Sequence, residues 1–194
     1  MTVSLEERIR QIEEYYRRLL QYPALTVDEA KTQAGRAGDS EFIYGETPPA
    51  SLMEMLRAAG LSADDVFYDL GCGLAQTVLV ASLVCKQAHG IEYLEPLARI
   101  AGEAARALGI DNARIHNTDY RDADLRDGTL FYCYATCTTE PTRALICARL
   151  LATVPGTRIV TVTHPLDHPE IERREPFELW WGGGRHSVYL HVRR

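Results

Sequence analysis

Short apolar segments alternate with helical segments between Val66 and Thr163, and this alternation constrains the fold of the chain more than any other feature. The apolar segments predict five strands, which span 66–70, 88–93, 114–118, 129–134 and 157–163. Helices are predicted between most of them, at 74–86, 95–108 and 140–151. Strands that alternate with helices are typical of a parallel, doubly wound α/β sheet.

The C-terminal end follows a different pattern. Two further strands are predicted at 177–181 and 187–192, on either side of three glycines at 182–184. Two strands joined by glycines predict an antiparallel hairpin. The complete fold prediction is a Rossmann-like, seven-stranded, mainly parallel sheet that ends in this hairpin.

The N-terminal end predicts a helical segment ahead of the sheet. Ser4 and Glu7 form a capping box at the start of an amphipathic helix over 4–21. Residues 23–47 predict mostly loop, and Pro48 with Pro49 begins the next helix. We therefore divide the chain into an N-terminal helix with a covering loop, 1–47, and an α/β domain, 48–194.

Composition excludes several classes of protein. The net charge of −6 disfavours nucleic acid as a partner, because binding phosphates needs a basic face. No apolar run is long enough to span a bilayer, and the charged N-terminus does not resemble a secretory signal, so we expect a cytoplasmic protein without membrane contact.

The odd count of five cysteines argues against a disulfide framework. Cys133 and Cys137 lack a second pair of ligands at suitable spacing, so no metal site is predicted.

A glycine loop directly follows the first predicted strand, in Asp69-Leu70-Gly71-Cys72-Gly73. Gly71 permits a tight turn, and Gly73 lets a ligand approach the backbone. The helix that follows directs free N–H groups at a bound anion. That anion is a pyrophosphate in a nicotinamide site and the methionine carboxylate in a site for S-adenosylmethionine (SAM).

Three features favour SAM as the cofactor. Asp69 suits a cationic methionine group and would repel a pyrophosphate. Gln76 stands where the dinucleotide pattern requires a small residue. A chain of 194 residues leaves no room for the substrate domain of a dehydrogenase.

Two further acidic residues end the next strands. Glu92 ends the second strand and suits both ribose hydroxyls of a nucleoside. Asp119 ends the third strand and suits an adenine amine, with Tyr120 packed nearby. Ligands bind outside the carboxyl ends of such strands, so we expect Asp69, Glu92 and Asp119 to share one site.

These residues also carry a family resemblance. The stretch from Glu41 to Thr47 contains Tyr-Gly-Glu-Thr and precedes the glycine loop that ends in Gln76. Over about residues 41–163 the chain resembles the disruptor-of-telomeric-silencing (DOT) type of non-SET lysine methyltransferases, and it is also similar to small prokaryotic protein lysine methyltransferases. The resemblance implies a class I methyltransferase domain at 48–194 and assigns cofactor roles to Tyr44, Glu46, Thr47, Gln76, Glu92 and Asp119.

The likeness weakens on the acceptor side. Where the family has Asn-Asn-Phe, this chain has Cys133 to Cys137. Tyr44, Tyr134 and Thr136 are our candidates for the channel that receives the methyl acceptor. The sequence points to no compelling general base: His164, which ends the fifth strand, could be one, but we prefer to interpret it as a loop histidine without catalytic function. We expect methyl transfer to a protein lysine; a small-molecule N-, O- or S-methyltransferase and a non-catalytic SAM-binding protein remain as alternatives.

Overall fold

The computed structural model describes residues 3–19, 27–42, 47–181 and 184–194. The described helices are α1 to α6, and they span Leu5–Leu19, Val27–Gln33, Pro49–Ala58, Gln76–Ser82, Glu95–Ala107 and Glu140–Leu150. The described strands are β1 to β8, and they span Val66–Leu70, Gln87–Glu92, Ala113–Asn117, Leu130–Cys133, Arg158–Val162, Ile171–Arg173, Phe177–Trp181 and Gly184–Arg193. Two 3-10 turns lie at Ser40–Phe42 and Ala135–Cys137.

The strands form one twisted sheet in the order β3-β2-β1-β4-β5-β8-β6, and β7 also pairs with β8. The first five strands of the chain are mutually parallel, while β6, β7 and β8 pair antiparallel. The predicted α/β fold with its C-terminal hairpin is therefore confirmed. Within the described ranges the sheet has one strand more than the predicted seven, because the short β6 was missed.

Helices cover both faces of the sheet. Residues from α1 to α5 contribute to one hydrophobic cluster with Phe67, Leu130 and Val160 of the sheet. The opposite face packs against α6, whose Ile146 and Leu150 join a second cluster. The N-terminal segment belongs to this architecture, since Ile12 of α1 is 1% exposed in the first cluster.

The N-terminal segment corrects one prediction. Residues 23–47 were expected to be mostly loop, but α2 forms at Val27–Gln33 and a 3-10 turn follows. Ala30 of α2 is fully buried, and α2 packs against α5. Burial in a tertiary contact stabilises so short a helix, because propensity alone does not. At the start of α1, the backbone N–H of Glu7 donates to Ser4 Oγ at 3.2 Å, as the capping box predicts.

No helix in the described part of the chain is both long and apolar enough to cross a membrane.

Candidate functional site

A cleft of about 240 Å³ opens at the carboxyl ends of the first four strands. The segments that follow these strands line it: Gly71 to Gly73, Glu92 to Leu94, Thr118 to Arg121, and Cys133 with Tyr134. The start of α6 and the N-terminal segment close its sides. The cleft thus lies where parallel α/β sheets bind ligands.

The glycine loop adopts left-handed backbone conformations at three positions: Gly71 has φ +86°, Gly73 φ +55° and Ala75 φ +65°. The N–H groups of Gly71 and Cys72 both donate to the carbonyl of Ile91, at 2.9 and 3.0 Å, which ties the loop to β2. A Cβ added at Gly71 would meet no atom within 4 Å, so open space lies above the backbone there. A ligand can therefore approach this loop closely.

Glu92 is held at the bottom of the cleft by backbone donors. One carboxylate oxygen accepts the N–H of Gly73 at 2.8 Å, and the other accepts the N–H of Leu94 at 2.7 Å. The side chain is 6% exposed. Burial raises the pKa of Glu92, and these hydrogen bonds oppose the rise. A backbone hydrogen bond from Tyr93 adds to these two, and a carboxylate with about four lone-pair sites still has room to accept a ligand hydroxyl.

Asp69 lies beneath the loop and is not among the described residues that line the cleft. It is 3% exposed, and burial, reinforced by the negative charge of Glu92, raises its pKa to about 8, against a hydrogen bond from Thr77. The structure therefore brings Asp69 and Glu92 within electrostatic range, while Glu92 alone of the two reaches the cleft surface.

Asp119 lines the cleft beside a cation that sequence reasoning missed. Its carboxylate pairs with the guanidinium of Arg121 and also accepts the Arg121 N–H at 2.9 Å. The hydrogen bond from Arg121 lowers the pKa of Asp119. The adjacent Tyr120 also lines the cleft, and burial raises its pKa to about 12. Arg36 lines the same side, and no sequence signal pointed to it.

The candidates for the methionine end are only partly described. Tyr44 and Glu46 lie outside the described residues. Thr47 is buried and its hydroxyl lies 3.0 Å from that of Tyr132, a fully buried residue of β4 that sequence reasoning missed. Gln76 is the first residue of α4 and is partly buried. Thr47 and Gln76 are not among the described residues lining the cleft.

The acceptor candidates lie at the end of β4. Tyr134 lines the cleft, and its ring centroid is 6.4 Å from that of His186. Thr136 lies in the following 3-10 turn, with its hydroxyl 2.7 Å from that of Thr163. The structure thus brings Tyr134 to one edge of the cleft and places Thr136 beside that edge, outside the described lining. It also adds His186, which the sequence pattern did not single out.

The cleft fits a nucleoside that carries positive charge. The anchored carboxylate of Glu92 suits a ribose diol, and the apolar side chains of Ile91, Leu94 and Leu97 suit an adenine ring. The buried carboxyl groups of Asp69, below the glycine loop, and of Glu92, beside it, suit a cation. SAM combines these groups, so the residues present fit this cofactor.

Comparisons with known proteins agree with this geometry. The family model described as "Histone methylation protein DOT1" matches residues 25–115. The chain is 28% identical over 153 residues to a protein-lysine N-methyltransferase of Saccharolobus islandicus, which covers 77% of this chain and 92% of that protein. It is 36% identical over 64 residues to an H3 lysine-79 specific histone-lysine N-methyltransferase of Kluyveromyces lactis, but this match covers 32% of the chain and 11% of the yeast protein.

A solved structure shows the same fold. The chain is similar to an RNA methyltransferase from Salinibacter ruber in complex with S-adenosyl-L-homocysteine, with a TM-score of 0.64 and 24% identity over 76% of this chain and 92% of that one. This likeness shows the fold, and the methyltransferase relatives agree with SAM as the cofactor. The chain is a SAM-dependent methyltransferase, and over residues 25–115 it resembles the DOT type.

Proposed function

We propose that this enzyme transfers a methyl group from SAM to the side-chain amine of a protein lysine. The observation that carries the proposal is the arrangement of the cleft, with the anchored Glu92 at one end and the aromatic edge at Tyr134 at the other. The similarity to the protein-lysine N-methyltransferase of Saccharolobus islandicus supports it, because that match spans nearly the whole of the relative.

Glu92 and Asp119 are the proposed nucleoside ligands. Glu92 accepts the ribose hydroxyls, and Asp119 with Tyr120 borders the adenine. Gly71 and Gly73 allow the cofactor to approach the backbone, and the N–H groups at the start of α4 face its carboxylate. SAM supplies an electrophilic methyl group on a sulfonium.

The methionine end is proposed to lie over the loop. Asp69 provides negative charge beneath it, and Gln76 bonds its carboxylate. The family resemblance assigns Tyr44, Glu46 and Thr47 to this end, where a covering segment would exclude water.

The acceptor side is proposed to select a neutral amine. Tyr134 offers an aromatic face to the positive charge that develops on the nitrogen. Apolar and hydroxyl-bearing neighbours lower the pKa of an incoming ammonium, because partial burial disfavours its charged form. Positioning and partial desolvation then account for most of the catalysis.

Other acceptors are weighed against this proposal. The net charge of −6 disfavours RNA, although the structural neighbour from Salinibacter ruber is an RNA methyltransferase. A small metabolite would use the same cleft, and a non-catalytic protein would bind SAM without turnover.

Incubation with methyl-labelled SAM and fractionated cell extract separates these functions. We expect label in the protein fraction, located on lysine by mass spectrometry of tryptic peptides. Label confined to RNA or to small molecules, or no label at all, contradicts a protein lysine as the acceptor.

The cofactor half of the proposal has its own test. Glu92→Ala and Asp69→Ala are expected to abolish SAM binding measured by calorimetry. Glu103→Ala is the matched control, because Glu103 is exposed on α5 and pairs only with Arg99 among the interactions described for it. Near-normal SAM affinity in both cleft variants would contradict the proposed site.

A further inference from the structure

A chain of two hydroxyls and one imidazole joins the ends of three strands. The Thr136 hydroxyl, just after β4, lies 2.7 Å from that of Thr163, just after β5. The Thr163 hydroxyl lies 3.4 Å from Nδ1 of His186 on β8. These groups come from distant parts of the sequence, so only the folded sheet brings them together.

Thr163 is held in a conformation that threonine rarely adopts. Its φ is +72°, in the left-handed region that disfavours β-branched residues. Its N–H donates to the carbonyl of Ser187 at 2.8 Å, which fixes the backbone against β8. Strain of this kind clusters at functional sites, where the surrounding structure holds it in place. Here it directs one hydroxyl between Thr136 and His186.

The chain runs from the 3-10 turn beside the cleft to the imidazole. Thr136 is not itself among the described residues that line the cleft, but it lies between Tyr134 and Cys137, which both line it. The Tyr134 ring is tilted against the His186 ring at 49°. His186 is partly exposed, so a proton that reaches it can exchange with solvent. The three groups thus connect the edge of the cleft to water.

We propose that Thr136, Thr163 and His186 form a relay that removes the proton of the methyl acceptor; this inference rests on the proposed amine methylation. The N–H bond of the acceptor ammonium breaks and its proton passes to Thr136 Oγ1. Thr136 passes its own proton to Thr163 Oγ1, and Thr163 passes its own to Nδ1 of His186. Both hydroxyls are restored, and His186 becomes an imidazolium that returns to its neutral form, with Nδ1 unprotonated, by releasing a proton to solvent. The neutral nitrogen would then form its bond to the methyl carbon as the bond from that carbon to the sulfonium breaks.

The charged side chains described on the hairpin and on α3 lie away from His186. Neighbouring strand residues point to opposite faces, so the Arg185–Glu178 ion pair lies on the other face of the hairpin. Glu54 and Arg57 of α3, the helix packed against β7, are both exposed. Tyr134 is the titratable side chain whose ring contact with His186 the structure describes.

Nuclear magnetic resonance tests the relay without any acceptor. Long-range ¹H–¹⁵N spectra of the full chain report the state of Nδ1 in His186. We expect Thr163→Val to change the Nδ1 shift of His186, because the hydroxyl is lost while the β-branch is kept. Thr32→Val on α2 is the control and leaves that shift unchanged. An unaltered His186 in Thr163→Val overturns the relay.

Turnover supplies the second test, with poly-L-lysine as the amine probe and labelled SAM at saturation. His186→Gln is expected to lower kcat roughly 10- to 100-fold near neutral pH, with a smaller loss as the pH rises, because solvent then deprotonates the amine. The KM for SAM stays within about two-fold, and added imidazole restores part of the rate of His186→Ala.

Two further histidine variants make the turnover test selective. His168→Gln, on a partly buried histidine outside the relay, keeps the wild-type pH profile. The relay is overturned if His186→Gln keeps the wild-type pH profile of kcat, or if kcat falls only in His164→Gln. Amine methylation stands in either case. A wild-type enzyme that labels no amine removes the proposed function and the relay with it.

Discussion

Two buried carboxyl groups dominate the electrostatics of the site at the scale of single residues. Asp69 and Glu92 are both almost inaccessible, and the pKa of each is raised by burial, that of Asp69 to about 8. No described hydrogen bond joins either carboxyl group to a Lys or Arg side chain. A bound cation therefore changes their protonation, because positive charge nearby favours the ionised carboxylate.

We expect SAM binding to release about one proton near pH 7, because Asp69 is protonated in the free enzyme and ionises beside the cofactor. By linkage, SAM affinity then rises with pH up to about 8 and levels off above it. Calorimetry in buffers of different ionisation enthalpy measures the released protons. Binding heats that do not depend on the buffer would exclude this coupling.

His191 is a third buried titratable residue, far along β8 from the cleft. It is 1% exposed; its Nδ1–H donates to the carbonyl of Ile159 at 3.3 Å, and Nε2 accepts the N–H of Leu166 at 3.1 Å. These partners suit the neutral ring. Burial lowers the pKa of His191 to about 4, whereas an unfolded histidine titrates near 6.5.

The His191 shift predicts a loss of stability on acidification. Between about pH 6.5 and about pH 4 the unfolded chain binds a proton that the native chain does not, so the free energy of unfolding falls by roughly 3 kcal/mol. Denaturant unfolding of wild type and His191→Asn across this range isolates the effect, since all other groups are shared. Parallel pH curves for the two proteins would show that His191 contributes nothing.

At the scale of elements, α1 is attached to the glycine loop. The buried hydroxyl of Tyr16 donates to the carbonyl of Leu74, inside the loop that follows β1. The next residue, Ala75, has the left-handed φ of +65° without being glycine. A buried donor at this point stabilises the loop, because an unpaired buried carbonyl costs free energy.

Tyr16→Phe is therefore expected to weaken SAM binding roughly 3- to 10-fold, since the loop loses its fixed shape. The KM for SAM rises and kcat stays near the wild-type value. Tyr15→Phe is the control, because Tyr15 packs edge-to-face on Tyr16 in the same helix. Lower thermal stability with wild-type SAM affinity would reduce Tyr16 to a packing role.

The elements also show where sequence reasoning succeeds. The glycine loop and Glu92 were predictable, because strand ends and turn residues have local signatures. α2 and β6 were not, because both are short and depend on burial against α5 and pairing with β8. Arg36 and His186 were not predictable either. Tertiary contacts alone bring Arg36 to the cleft and His186 to the edge of the cleft at Tyr134.

At the scale of the whole molecule, the two ends of the parallel strands serve different purposes. The carboxyl ends carry the cleft and the hydroxyl–imidazole chain. The amino ends carry a polar network around Asp65, which is 4% exposed and accepts from Thr129 Oγ1 and the Ser62 N–H, both at 2.7 Å. Burial would raise the pKa of Asp65, but these bonds, together with the charge of Arg158, hold it below its usual value.

Arg158 joins three parts of the chain at this end. Its guanidinium pairs with Asp65 and donates to the carbonyls of Ala59 and Gly60, which follow α3. Arg158→Ala leaves the buried carboxylate without its cation, so we expect the free energy of unfolding to fall by roughly 3 kcal/mol. SAM affinity stays within about two-fold of wild type, because the cleft is at the opposite end of the strands.

Denaturant unfolding and SAM calorimetry on the same preparation compare the two ends directly. Arg126→Ala is the matched control, because Arg126 pairs with Asp124 at the exposed surface, where an ion pair contributes little. If Arg158→Ala lost SAM binding at temperatures where it stays folded, the two ends would be energetically coupled. Unchanged binding in a clearly destabilised protein supports a sheet whose amino ends stabilise the fold and whose carboxyl ends carry the chemistry.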